Sequence, residues 1–271
     1  RTRYSMTINV GTALINVVLD YVFLGVLHWG IGAAALASCL GYSLGTILSY
    51  LPFILKKLPL RFVRGKIAPR LMRNIFFNGS SEFFTNIAGS VLMIVFNSVL
   101  LRLSGTMAVA ALSVVLYVDN MVISILYGMT DSMQPAISYN YGAQLRRRML
   151  AIEKRVLLAG ALIAAAAWST LQLGGSEILT LFLKGESPAL TELSLQAMRL
   201  FSFAYCTSWL GICLSAFFTA VNRPGISLLI SLGRALLFPL AAMAGLGPWL
   251  GLPGVWLTAP AGNALAAFVA A

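Results

Sequence analysis

The sequence predicts an all-α membrane protein, a polytopic bundle of eight spanning helices, and three observations carry that expectation. Of the 271 residues, 59% are hydrophobic and only 10% charged. A soluble domain is nearer a quarter charged, and these residues could not supply the polar shell that such a fold needs. The apolar residues gather into eight runs, each close to the roughly 20 residues that a helix needs to cross a bilayer. The basic residues alternate between the gaps separating those runs.

The runs cover residues 5–27, 30–55, 74–101, 107–127, 156–183, 195–221, 226–245 and 249 onward. They are long and continuously apolar, whereas strands of a membrane barrel are about ten residues with period-two alternation. Arg1 and Arg3 precede the first run. The gap after the second carries Lys56, Lys57, Arg61, Arg64, Lys66, Arg70 and Arg73. The gap after the fourth carries Arg146, Arg147, Arg148, Lys154 and Arg155 against Glu153, and the turn after the sixth holds Arg223. The opposite gaps hold only Arg102, Lys184 and the nearby Arg199. Alternating helices put the rich gaps on one side, which the positive-inside rule makes cytoplasmic.

The net charge of +11 therefore marks topology rather than a nucleic-acid partner. Arg1 and Arg3 before an apolar run suggest a signal peptide, but the run is too long, carries Asn9, Asn16 and Asp20, and has no cleavage pattern. A start at Arg1 and an apolar run still open at Ala271 are expected of a fragment. Cys39, Cys206 and Cys213 lie in apolar runs and are expected to be buried, inert thiols, with neither a disulfide framework nor a metal site.

Residues 56–73 form the longest non-spanning segment and the best boundary between two bundles. Leu58, Leu60, Phe62 and Ile67 suit the headgroup layer. The organisation expected is thus 1–55, a basic linker 56–73, and 74–271. A weak internal repeat agrees. Gly30-Ile31-Gly32-Ala33 and Gly251-Leu252-Pro253-Gly254 are both Gly-rich turns feeding a small-residue helix start. The first run then corresponds to the seventh, which implies two six-helix halves with four helices preceding this chain.

Polar groups inside the runs are the informative residues, because a charge in hydrocarbon costs from about 2.5 to over 10 kcal/mol and usually marks a path. Asn9, Asn16 and Asp20 share one helical face. An ionised Asp with an amide oxygen one turn away suits a hard cation or a proton. A neutral Asp bonded across helices is the plainer alternative. Glu82, Asn86, Ser90 and Asn97 make one face of the third run polar, with Glu82 as a candidate protonation switch or the partner of a linker Arg such as Arg73.

In the fourth run, Ser113, Tyr117, Asn120, Ser124, Tyr127 and Asp131 form another stripe. Asp119 is one position off it and is expected to pair with Arg234, the only base well inside a run. Asp131 reads as a helix-end residue, and Gln134-Pro135 as the end or kink of the helix. Met93, Phe96, Tyr117, Met121, Tyr205 and Trp209 could line an apolar drug cavity or simply pack. Gly32, Ala33, Ala37, Gly41 and Gly45 suit close helix packing. His28, the only histidine, falls in a turn. Nothing resembles a nucleophile triad, metal cluster or phosphate loop, so an enzyme is not expected.

Several segments then resemble one family. Asn16-Val17-Val18-Leu19-Asp20-Tyr21-Val22-Phe23 and Gly30-Ile31-Gly32-Ala33 through Ser38 resemble the fifth and sixth helices of the MATE (multidrug and toxic compound extrusion) transporters. Asn78-Gly79-Ser80-Ser81-Glu82-Phe83 resembles the start of the seventh. Gln134-Pro135 through Ala143 resembles the exit of the eighth, and Asn222-Arg223-Pro224 and Gly254-Val255-Trp256 also fit. The MepA-like branch is the nearest in character.

The resemblance implies a twelve-helix, two-lobe fold and a Na+- or H+-coupled antiporter of amphipathic organic cations in the bacterial cytoplasmic membrane. It implies a monomer when full length, whose surroundings are the lipid bilayer. It implies a cation site at Asn16, Asp20 and Ser38, with Na+ at Asp20 the one metal allowed and no other cofactor. Glu82 matches an acid of the carboxy-terminal lobe in some members. Their further acid on the tenth helix has no counterpart in 195–221, which leaves a second cation site incomplete. Asn86, Asn97, Tyr117, Asp119 and Asn120 are the substrate-cavity candidates. A lipid-linked oligosaccharide or polysaccharide flippase of the same superfamily is the alternative, and a non-transporting scaffold a third.

Overall fold

The structure is a computed structural model and describes residues 2–55, 68–184 and 187–270. Five of the linker bases, Lys56, Lys57, Arg61, Arg64 and Lys66, and the proposed headgroup contacts of the linker lie outside the described residues. The elements are α1 (Thr2–Asp20), α2 (Ile31–Ile54), α3 (Pro69–Gly142), α4 (Arg146–Phe182), α5 (Pro188–Ser202), α6 (Tyr205–Ala220), α7 (Pro224–Leu232), α8 (Phe238–Leu250), α9 (Leu252–Trp256) and α10 (Thr258–Ala270). The described residues contain no strand. They form two compact units, Arg1–Ile67 and Ala68–Ala271.

Among the described residues, six helical stretches are long and apolar enough to cross a membrane, or seven with the α5–α6 pair, bent by 51°, counted as one span. The 74-residue α3 would be about 110 Å long at 1.5 Å per residue, against a hydrocarbon core of about 30 Å. It is two passages, broken where Gly105 takes φ 70° and ψ −158°, and counting both gives the eight that the sequence predicts. Large apolar side chains stand outward, with Ile31 91% and Trp249 90% exposed. Lipid supplies the solvent that such a surface needs.

In the first unit α1 and α2 form an antiparallel hairpin. Tyr4 Oη donates to the Leu48 carbonyl at 2.8 Å, while farther along Gly45 lies against Thr12 and Gly41 against Asn16. A Cβ on Gly45 would come within 3.1 Å of Thr12 Cγ2, so the missing side chain permits the close approach. Gly32 has open space around it and takes no part.

In the second unit α3 is the spine, touching α4, α5, α6 and α7. The core holds Leu100, Leu179, Met198, Tyr205 and Trp256, all at most 1% exposed.

Several boundaries differ from the sequence reading. The helix does not stop at Pro135 but runs on to Gly142. The basic gap at 146–155 is the beginning of α4 rather than a loop. Trp249 lies in the last turn of α8, which ends at Leu250, and the last span opens at Leu252. Cys39 and Cys206 are exposed; only Cys213 is buried. Gly30 and Gly251, the two glycines of the weak repeat, share positive φ (69° and 61°) with Gly105 (70°). Each starts the returning helix of a hairpin, a conformation that a Cβ disfavours.

Candidate functional site

Among the described residues two π-helical turns interrupt the spans, and each lies at an ionisable residue. One, Tyr21–Val26, directly follows Asp20; the other, Gly233–Leu237, contains Arg234. A π turn sacrifices regular hydrogen bonding and recurs at functional positions.

In the first unit a groove of about 500 Å³ between α1 and α2 is lined by Asn9, Thr12, Asn16, Ser38, Tyr42 and Ser49 among others. Asn16 Nδ2 and Asp20 Oδ1 are buried and have no hydrogen-bond partner. Buried polar atoms are seldom left so, since each costs about 1–3 kcal/mol. Asn16 and Ser38 thus share the groove, and Asp20 lies one turn beyond Asn16, outside its lining.

Two polar cavities lie among the described residues of the second unit. The first, of about 490 Å³, is lined by Asn78, Glu82, Thr85, Tyr127, Asp131, Gln134, Ser215, Thr219, Ser231 and Arg234 among others. Its far wall is a hydroxyl chain. Ser215 Oγ lies 2.9 Å from Ser227 Oγ and 2.6 Å from Ser231 Oγ, and Thr219 Oγ1 lies 2.7 Å from Ser227 Oγ. The i, i+4 spacings 215/219 on α6 and 227/231 on α7 bring these hydroxyls to one seam.

The second cavity, of about 320 Å³, is lined by Asn86, Met93, Phe96, Asp119, Tyr127, Phe201, Arg234 and Asn263 among others. Asp119 Oδ1 accepts from Tyr205 Oη at 3.0 Å. Arg234 Nη2 donates to Tyr127 Oη at 2.9 Å. The expected Asp119–Arg234 pair is therefore not a direct contact: each member bonds a phenol instead, although both line this cavity and the charge of Arg234 still acts on Asp119.

The structure brings Asn86 and Asp119 to one cavity and Glu82 to the other. Asn97, Tyr117 and Asn120 lie outside both. Tyr117 is 64% exposed and stacks on Phe182 with centroids 6.4 Å apart, while Asn120 Nδ2 is spent on the Leu116 carbonyl. The stripe in the second half of α3 therefore divides: Tyr127 and Asp131 line the first cavity, whereas Ser113, Tyr117 and Asn120 line neither. Sequence reasoning took Asp131 for a helix-end group and overlooked the hydroxyl seam, whose spacing was there to be read. Among the described residues no three His, Cys, Asp or Glu side chains gather as metal ligands.

The chain matches the MatE family model over residues 83–242, more than half its length. No curated protein matches it in sequence. Among solved structures, a multidrug resistance MATE family transporter of the MOP superfamily in an outward-facing conformation superposes with a TM-score of 0.87 at 21% identity, covering 98% of this chain and 59% of that one. A MATE protein crystallised in complex with MaL6 gives 0.87 at 20%, covering 98% and 60%. A MOP superfamily transporter from Pyrococcus furiosus, described as having reverse polarity of the binding pocket that suggests a different function, gives 0.88 at 21%, covering 96% and 59%. The chain spans about 59% of the length of these transporters. Multi-pass, all-helical and matched by family model and fold alike, it belongs to the MatE family, whose members are membrane transporters and not enzymes.

Proposed function

We propose that the full-length protein is a Na+- or H+-coupled antiporter that exports amphipathic organic cations across the bacterial cytoplasmic membrane. Residues 1–55 would be the last two helices of its amino-terminal lobe, 56–73 a basic cytoplasmic linker and 74–271 its carboxy-terminal lobe, in a MepA-like arrangement. The observation that carries this reading is the charge balance of the two cavities, where Glu82, Asp131 and Asp119 face a single base, Arg234. Three carboxylates against one guanidinium favour a cationic guest.

Asp20 and Asn16 offer a second place for the coupling ion. An acid oxygen and an amide left without partners inside a span fit an ion or proton that completes them, with Ser38 in the same groove. Binding of the ion and of the organic cation to different states of the protein lets one gradient drive the other. Vesicle efflux of a fluorescent organic cation by the full-length protein tests the reading. Asp20→Asn is expected to abolish ion dependence; export at the wild-type rate with ion dependence intact would remove Asp20 from the mechanism.

A flippase for phosphate-bearing lipids is the second reading, favoured by Arg234 lining both cavities. Scrambling of a labelled lipid precursor without dye efflux would reverse the order.

A further inference from the structure

The two cavities of the second unit meet at three shared residues, Thr85, Tyr127 and Arg234, and Arg234 alone of these carries a formal charge. Three features build its position. It sits in the π turn Gly233–Leu237 between α7 and α8. Its stem crosses α6 at Gly211, where a Cβ would come within 3.1 Å of Arg234 Cδ. Its Nη2 is held by Tyr127 Oη at 2.9 Å.

What this placement leaves unused is the telling part. Arg234 Nε is buried with no partner, and among the described residues the guanidinium makes no ion pair. Yet Glu82 and Asp131 line the cavity on one side of it and Asp119 the cavity on the other. A guanidinium is a rigid fork of five donors that matches carboxylates two bonds at a time. Parking one on a phenol between acid-lined cavities leaves a positive charge on the lining of both.

We infer that Arg234 is a tethered cation that competes with the mobile cation for the carboxylates of the two cavities. The inference deepens the cation-coupled reading and rests on it. When a cation enters, the carboxylates bind it and the guanidinium stays on Tyr127. When the cation leaves, the guanidinium turns to the acids, so the emptied cavities are not left with unbalanced negative charge. The ionisable groups that face it are Glu82, Asp131 and Asp119, with the phenol of Tyr127, while the phenol of Tyr205 is occupied by Asp119. Arg234 is a positioning residue here: it sets how readily the cation binds and departs.

The test uses the full-length protein in proteoliposomes, loaded with ethidium and driven by Na+ or by a pH gradient. The driving-cation concentration at half-maximal efflux is measured separately from the maximal rate. Cation-dependent thermal stabilisation of the purified protein gives the same midpoint without transport. Arg234→Gln, which removes the competitor, is expected to lower the midpoint about tenfold, a fraction of the attraction between unit charges at this range, and to slow the maximal rate. Arg234→Lys keeps the charge and is expected to restore most of the wild-type midpoint. Tyr127→Phe frees the guanidinium and is expected to raise the midpoint.

Opposite shifts from Arg234→Gln and Tyr127→Phe are not produced by a merely structural disturbance. A cation-dependent wild type with both variants unmoved, or both moved the same way, overturns this inference and leaves the antiporter reading standing. A wild type indifferent to Na+ and pH in both assays overturns the antiporter reading and this inference together. Should Arg234→Gln not fold, the Tyr127→Phe midpoint decides: a rise supports competition and an unchanged value defeats it.

Discussion

Tyr205 on α6 reaches across to α3 and donates its hydroxyl to Asp119 Oδ1 at 3.0 Å. Tyr205 is itself 1% exposed, while Asp119 is half-buried on the lining of the second cavity. Tyr205→Phe keeps the ring and deletes only the donor, leaving a half-buried carboxylate short of a partner. The expected loss is about 1–3 kcal/mol, measured by unfolding of the purified protein in detergent. A cycle with Asp119→Asn checks the assignment, since groups in direct contact show coupling of about 0.5–3 kcal/mol; additive losses would mean that the bond contributes nothing of its own.

Gly254, at the start of the last span, packs against the preceding helix so closely that an added Cβ would collide with the Leu246 carbonyl oxygen. The obstacle is backbone and cannot rotate away. Gly254→Ala is therefore expected to destabilise by about 1–3 kcal/mol, the usual cost of overpacking. Gly245→Ala, in the same hairpin with nothing within 4 Å, is expected to stay within about 1 kcal/mol of wild type. Equal melting temperatures for the two variants would show that the hairpin yields at no cost.

The spans were legible because lipid imposes two demands at once, length and apolarity, and both are written in composition. The breaks inside them were not. Gly105 lies where a turn was expected, but its positive φ is invisible in a residue that also serves close packing, as Gly45 does. The bend between α5 and α6 falls at Phe203 and Ala204, which carry no turn chemistry. The site was half legible for a related reason. Helical spacing shows which polar residues share a face of one helix, and it placed Asn16 beside Asp20. It does not show which faces meet. Glu82 and Asp131 come to one cavity only because α3 folds back at Gly105, and Asp119 finds Tyr205 rather than Arg234 because α6 lies against that face.

Glu153 shows the same limit from the other direction. In sequence it is one acid in a basic gap, while in the fold it is 6% exposed and both carboxylate oxygens are buried without a partner. Its neighbourhood at the start of α4 includes the apolar side chains Met149 and Ile152. An apolar residue of similar volume removes the unmet polar atoms, and with them the cost of about 1–3 kcal/mol that an unsatisfied buried polar group carries. Glu153→Leu is accordingly expected to raise the unfolding temperature, and Lys154→Leu on the exposed side of the same turn to leave it nearly unchanged. A lower unfolding temperature for Glu153→Leu would show that the carboxyl group has a stabilising partner.

Glu82 and Asp131 share their cavity with the hydroxyls of Ser215, Thr219 and Ser231, so a cation held there would see two acids from the two halves of α3 and neutral oxygens from α6 and α7. Under the antiporter reading the two carboxylates act on one guest. Glu82→Gln and Asp131→Asn are then each expected to weaken the driving-cation dependence of efflux by about tenfold. The double variant should be little worse than the more affected single one, because groups that act as a unit are not additive. Asn97→Ala, outside both cavities, is expected to retain the wild-type dependence. Efflux by the full-length protein in proteoliposomes, titrated with Na+ and with pH, reads all four variants. If Glu82→Gln loses cation dependence while Asp131→Asn keeps it, the shared cavity is not a shared site: the second acid would line the cavity without binding the guest, and the cation would be held by Glu82 with the hydroxyl seam alone.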